Sequence, residues 1–198
     1  IMARIICFDI ETTGFEYQRG DRCIEIGAVE VLDGKITGNN FHEYINPEGK
    51  IIPRESYEVH KISNAFLDDK PTMAVIAPKF LEYVGDSVMV AHNGKEFDFP
   101  FLNYELKNLG LPEIPPEQQQ DSLLIARTRV FNLKTYTLDA IAKFYGISLA
   151  TRADAHGALI DSEILAKVYL ELENTEPAPE ISEIVEKQHA AFLAHPKI

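Results

Sequence analysis

Residues 5–45 read IICFDIETTGFEYQRGDRCIEIGAVEVLDGKITGNNFHEYI, and this stretch decides the fold. Residues 5–11 and 24–32 are rich in β-branched and aromatic side chains, a composition that favours strands. Asp33 and Gly34 form a hairpin turn signal, and residues 41–45 are suited to a third strand. The stretch therefore predicts an antiparallel meander of three strands.

Helical periodicity dominates the chain beyond this meander. Apolar residues recur at intervals of three and four over residues 73–84, 101–109, 123–130, 138–145 and 157–172. A β-branched run at 87–91 predicts one more strand among these helices, and residues 118–120 predict a loop or a short edge strand. Strands first, helices later and a returning strand together predict an α/β fold with a mixed sheet flanked by helices.

The composition is that of a globular protein. The chain has 198 residues, of which 45% are hydrophobic and 25% charged, and this excludes a disordered or low-complexity chain.

No apolar run approaches the ~20 residues that span a bilayer, so we expect no membrane partner. Cys7 and Cys23 are too few for a disulfide framework, and no leader precedes the first strand. We therefore expect a cytoplasmic protein.

The net charge argues against non-specific binding of nucleic acid. The formal charge is -12 at pH 7, and no basic block marks a phosphate-binding groove. Bound cations can invert the electrostatics of an acidic site, so metal ions would reconcile this charge with a phosphate substrate.

Acidic residues stand at the ends of predicted strands. Asp9 and Glu11 are two residues apart, so both project from one face at the carboxyl end of the first strand. Asp98 opens a helix soon after the strand at 87–91. Taken singly, the first pair could be solvated acids at a strand end, and Asp98 could be a helix cap.

His156 and Asp161 form a third group at the start of the last helix. Alone, they could be a surface histidine and an acid favoured by the helix dipole. Together with the other acids they suit Mg²⁺ or Mn²⁺, and two such ions ~4 Å apart clamp a phosphoryl displacement. A histidine of near-neutral pKa can take the proton from the attacking water.

Three segments of the chain resemble the motifs of a nuclease family. FDIETTG at 8–14, HNGKEFD at 92–98 and the H-x4-D at 156–161 resemble the three motifs of the DEDDh, or DnaQ-like, 3′→5′ exonucleases. The resemblance covers roughly residues 4–173. The runs 24–53 and 57–63 are most similar to the proofreading epsilon subunits of bacterial DNA polymerase III.

This resemblance implies a ribonuclease H-like domain over residues 3–173, with a five-stranded mixed sheet in which three strands are antiparallel. It implies metal-dependent removal of nucleoside 5′-monophosphates from DNA 3′ ends, in proofreading during DNA replication. The implied cofactors are two Mg²⁺ or Mn²⁺ ions, and the implied substrate is a single-stranded or frayed DNA 3′ end.

The resemblance also assigns roles to individual residues. Asp9, Glu11 and Asp161 would bind the catalytic metal, Asp9 would also touch a second metal held by Asp98, and His156 would be the general base.

Further residues would contact the substrate. Around the terminal nucleotides the resemblance places Thr12, Val59, His60 and Phe97, and it gives His92 a supporting role in the loop.

Two other functions stay open at this point. One is a stand-alone exonuclease acting on RNA or short oligonucleotides. The loop at 94–96 is longer than in the proofreading subunits and resembles stand-alone members of the family, which weakens the assignment to a polymerase subunit. A non-catalytic scaffold is the other alternative. The sequence of residues 174–198 predicts a linker and a tail that is either frayed or an amphipathic helix. The resemblance to epsilon subunits implies that such a helix would dock on the replicative polymerase catalytic subunit.

Overall fold

The computed structural model describes residues 4–150 and 157–177, and its sheet has the strand order β3-β2-β1-β4-β5. β1 pairs antiparallel with β2, and β2 with β3, whereas β1–β4 and β4–β5 are parallel. The predicted five-stranded mixed sheet with three antiparallel strands is confirmed. The strands are β1 (Arg4–Thr12), β2 (Cys23–Leu32), β3 (Lys35–Tyr44), β4 (Val88–Ala91) and β5 (Gln119–Asp121).

Seven α-helices lie in the described part of the chain, and five of them were predicted. The helices are α1 (Arg54–His60), α2 (Asn64–Leu67), α3 (Met73–Val84), α4 (Asp98–Asn108), α5 (Ser122–Arg129), α6 (Leu138–Phe144) and α7 (Ala158–Glu173). No helix among these residues is both long enough and apolar enough to cross a membrane. The predicted tail lies almost entirely outside the described residues.

The hairpin between β2 and β3 is tighter than the sequence suggested. Asp33 and Gly34 both have positive φ, 50° and 74°, as the two central residues of a type I′ turn require. Leu32 therefore pairs directly with Lys35, and β3 begins six residues earlier than predicted.

β1 is covered by helices on both faces of the sheet, and this explains why apolar residues occupy consecutive positions at 5–8. Ile6 and Phe8 belong to the core cluster that contains α3 and α4 side chains. Cys7 belongs to the opposite cluster, which contains α5, α6 and α7 side chains. Since side chains alternate along a strand, Asp9 and Glu11 point to the same side as Cys7, toward α7.

The start of α7 lies directly against the main chain of β2. A Cβ on Gly27 would stand 2.2 Å from the carbonyl carbon of Ala158 and from the amide nitrogen of Leu159. The Ser162 hydroxyl donates a hydrogen bond of 2.8 Å to the Gly27 carbonyl. This close approach brings the first turn of α7, with Asp161, to the carboxyl end of β1.

Candidate active site

Three of the predicted carboxylates come together at this edge of the sheet. Asp9, Glu11 and Asp161 each offer one oxygen, and these oxygens all lie within 4.8 Å of one another. They line a cavity of about 750 Å³ between β1, α5, α6 and α7. Three oxygen donors at this spacing fit a divalent cation such as Mg²⁺ or Mn²⁺.

The repulsion between these neighbouring carboxylates also favours a bound cation. The pKa of Asp9 is raised well above its ordinary value, first by burial and then by the charges of Asp98, Glu11 and Asp161. Asp161 is buried and Asp9 and Glu11 are half-buried, and such a cluster of carboxylates is costly unless a positive charge compensates it.

Asp98 lies beside this cluster as the first residue of α4. It is 3% exposed, and one of its oxygens has no hydrogen-bond partner within the described residues. Burial raises its pKa to about 7, although backbone hydrogen bonds from its own amide and that of Ile10 oppose the shift. A buried carboxylate oxygen without a donor is suited to a metal ion or to a metal-bound water.

Two of the residues expected around the terminal nucleotide directly follow or precede a site carboxylate in the chain, Thr12 after Glu11 and Phe97 before Asp98. The Thr12 hydroxyl donates to the Gly14 carbonyl at 2.7 Å, which fixes the turn after β1. Val59 is exposed at the end of α1, and the ring of Phe97 meets Phe15 edge-on with centroids 5.7 Å apart. Phe15 is 81% exposed. The sequence analysis did not single it out as a neighbour of Phe97, because no periodicity marks a single aromatic residue in a loop.

His60 is buried at the end of α1, and its hydrogen bonds define its tautomer. Its Nδ1 accepts a hydrogen bond of 3.0 Å from the amide of Ile62, so the ring proton of the neutral form lies on Nε2. Burial lowers the pKa of His60, which favours this neutral form. His60 therefore presents an N–H to its buried surroundings rather than a base.

His92 fixes the loop that follows β4. Its Nε2 donates to the carbonyl of Tyr136 at 2.8 Å, and its Nδ1 accepts from the hydroxyl of Ser122 at 2.9 Å. This geometry fits a supporting residue for the loop.

Asp121 was missed by the sequence analysis although it organises the same loop. Its carboxylate accepts hydrogen bonds from the amides of Asn93 at 3.0 Å, Lys95 at 3.1 Å and Leu123 at 2.9 Å. The signal in the sequence was a helix-capping Asp directly after the polar run that forms β5.

Replacing Asp121 with alanine is expected to lower the free energy of unfolding by about 3 kcal/mol, because three backbone amides lose a buried, charged acceptor. We also expect a roughly tenfold loss of activity, since the loop leads into Asp98. Urea unfolding and single-turnover rates would measure both effects. Asp86→Ala, an exposed site at the opposite end of β4, is the control, and equal stability of the two variants would contradict the prediction.

Glu25 and His42 form a second feature that the sequence analysis did not single out. Glu25 is 2% exposed, pairs with Glu11 in the strand register, and accepts a hydrogen bond of 2.7 Å from Nε2 of His42. Its Oε1 lies 3.9 Å from the position of a Cβ on Gly157. The buried Glu25 carboxylate, paired with the exposed His42, therefore borders the entry to α7. His156, the expected general base, lies outside the described residues.

The topology is that of the ribonuclease H-like fold, and carboxylates at the end of its central strand are suited to a metal-dependent nuclease. The exonuclease family model RNase_T matches residues 6–169, and the chain belongs to this exonuclease family. It is a 3′→5′ exonuclease.

Named relatives agree with this assignment. The chain is 44% identical over 172 residues to the DNA polymerase III subunit epsilon of Rickettsia conorii, an alignment that covers 85% of this chain and 73% of the relative. It is 41% identical over 177 residues to the same subunit of Escherichia coli, with 85% and 71% covered.

Solved structures show the same fold. Exonuclease X in complex with 5′ overhanging duplex DNA has a TM-score of 0.64 at 29% identity, covering 87% of this chain and 91% of that one. Exonuclease I has a TM-score of 0.75 at 16% identity, with 88% and 41% covered.

Proposed function

We propose that the chain is a proofreading exonuclease that removes nucleoside 5′-monophosphates from the 3′ end of DNA with the help of two Mg²⁺ or Mn²⁺ ions. The observation that carries this is the set of three carboxylate oxygens within 4.8 Å of one another, lining an open cavity. Such a set favours hydrolysis of a phosphodiester over a non-catalytic scaffold, because a scaffold has no need of a partly buried cluster of mutually repelling acids.

The proposed catalytic residues have two roles: four carboxylates would bind the cations, and one histidine would act as the general base. Asp9, Glu11 and Asp161 would hold one cation, and Asp98, together with Asp9, would hold the second. When bound, the cations supply Lewis acidity toward the phosphate and lower the pKa of water. His156, five residues before Asp161 in the chain, would accept the proton of the attacking water.

The other expected residues would hold the terminal nucleotide. Val59 and Phe97 offer apolar surface for the last bases, and base stacking on such surfaces tolerates any sequence. His60 would pack with them around the last bases, and Thr12 with its neighbouring backbone would contact the terminal nucleotide.

Digestion of a 5′-labelled single-stranded DNA would test this function. We expect a ladder that shortens from the 3′ end in Mg²⁺ or Mn²⁺ and disappears with EDTA. An RNA of equal sequence separates proofreading from RNA processing, because the ribose 2′-OH is the only difference in the sugar. Faster cleavage of RNA would favour the stand-alone alternative, and cleavage of neither strand by folded, metal-loaded protein would favour a scaffold.

We also propose that the protein acts in the cytoplasm as part of a replicative polymerase, since its named relatives are DNA polymerase III subunits. Residues 3–173 would form the nuclease domain and residues 174–198 the linker and tail. Gel filtration with the polymerase catalytic subunit of the same organism would test this partner. If a chain ending at residue 175 still co-elutes, the tail is not the docking element.

A further inference from the structure

The cavity extends beyond the carboxylates onto α5 and the start of α6. Besides Asp9, Glu11 and Asp161, its walls include Leu123 and Arg127 of α5. Leu123 and Arg127 are four residues apart, so they lie on the same face of the helix. No other lysine or arginine contributes to the described walls of this cavity.

Arg127 differs from the other described arginines in its lack of a partner. Within residues 4–150 and 157–177 it forms no hydrogen bond or ion pair, whereas each of the other five arginines pairs with a carboxylate. These pairs are Arg4–Glu30, Arg19–Glu16, Arg22–Glu105, Arg54–Glu58 and Arg129–Glu173. In a protein of net charge -12, a guanidinium that faces an acidic cavity without an ion pair is available for an anionic ligand.

The order of groups across the site identifies the part of the substrate that reaches Arg127. The residues expected to enclose the terminal nucleotide, Thr12, Val59, His60 and Phe97, do not line this cavity, whereas the carboxylates do. The scissile phosphate belongs at the carboxylates, so the strand on its 5′ side continues into the cavity, toward α5. The next phosphodiester along the strand is then the anion that faces Arg127.

We propose that Arg127 binds the phosphodiester on the 5′ side of the scissile one, through a charge-assisted contact with its non-bridging oxygens. This inference rests on the proposed exonuclease function. The contact anchors the strand that remains after cleavage, so it recognises a polynucleotide rather than a single nucleotide, and it does so without regard to base sequence.

The test compares two substrates that differ in this phosphate. A (dT)10 strand contains it, whereas the p-nitrophenyl ester of thymidine 5′-monophosphate has a scissile phosphodiester and no second phosphate. For Arg127→Ala we expect the KM for (dT)10 to rise about tenfold with kcat within about twofold, and hydrolysis of the ester to be unchanged.

The salt dependence gives a second readout. The slope of log KM for (dT)10 against log salt concentration should fall by about 0.7 in Arg127→Ala, the value for one phosphate contact on a single strand. Lys79→Ala, an exposed site on α3, removes the same charge and should leave both KM and slope unchanged. Arg127→Lys should recover part of the affinity.

Two results would overturn the proposal. If the ester and the oligonucleotide lose activity to the same extent, Arg127 acts at the scissile phosphate. If Arg127→Ala and Lys79→Ala have equal KM and salt slope, Arg127 does not bind the strand. Failure of the proposed function looks different, because the wild-type protein would then cleave neither substrate.

Discussion

Asp9→Asn is expected to lose at least about a thousandfold in exonuclease rate and, in the absence of metal, to be more stable than the wild type. The loss follows because Asp9 is shared between both proposed cations, whose charge stabilises the transition state. The gain follows because burial and neighbouring carboxylates raise the pKa of Asp9, so its ionised form opposes folding.

The sign of the pH dependence follows from the same shift. A carboxyl group whose pKa is raised on folding stabilises the protein below its unfolded pKa of about 4, and this contribution is lost as the pH rises through the folded pKa. For Asp98 that folded pKa is about 7, so the metal-free protein should lose stability between about pH 4 and neutrality. Asp9→Asn should lose less over this range.

Thermal unfolding in EDTA and in Mn²⁺, alongside rates on single-stranded DNA, would measure these effects. Metal should raise the Tm of the wild type and hardly that of Asp9→Asn, whose metal-free Tm should exceed the wild-type value by about 3 °C for each 1 kcal/mol of relieved repulsion. Asp86→Asn is the matched control and should behave as the wild type. A fully active Asp9→Asn would remove Asp9 from the proposed metal site.

His156→Ala is expected to lose about a hundredfold to ten-thousandfold in rate while keeping the stabilisation by metal. The proposed base accepts a proton but holds no cation, so only the chemical step should suffer. The contrast with Asp9→Asn separates the two roles, because that variant should lose both the activity and the metal-induced rise in Tm.

The measurement is a pH–rate profile under saturating metal and substrate, with and without added imidazole. The wild-type rate should rise with pH through the histidine pKa, and this limb should be missing in His156→Ala. Imidazole in solution should restore part of the lost rate. Near-full activity of His156→Ala at pH 7 would refute the general-base role.

The order of elements was predictable because most of them carry a repeating local signal. These signals are the β-branched and aromatic composition of β1 and β2, the Asp33–Gly34 turn and the helical stripe of α3, and each involves only side chains close in sequence. α1 was missed because it buries only His60 and so carries no apolar stripe, and α2 was missed because four residues are too few to show a period. The sequence of residues 118–120 was compatible with a loop or with an edge strand. In the structure, residues 119–121 pair with β4 and form the edge strand β5.

The site was predictable only in part, for a related reason. Asp9, Glu11 and Asp161 were expected together, and the structure brings them together. Asp121 and Glu25 were not expected, because their importance arises from burial and from partners far away in sequence. Asp121 accepts hydrogen bonds from three backbone amides, but its sequence context is that of an ordinary helix cap. Glu25 is buried, but a Glu in a strand has the same sequence signal whether it is buried or exposed.

Gly27 has no functional group, yet its contact with α7 makes it necessary for the position of Asp161 in the site. Any larger side chain there would push the first turn of α7 away from β2, and Asp161 would move with it. In a saturation-mutagenesis map scored by exonuclease activity, position 27 would thus be as intolerant as a metal ligand. Exonuclease activity depends here on the absence of a side chain as much as on any carboxylate.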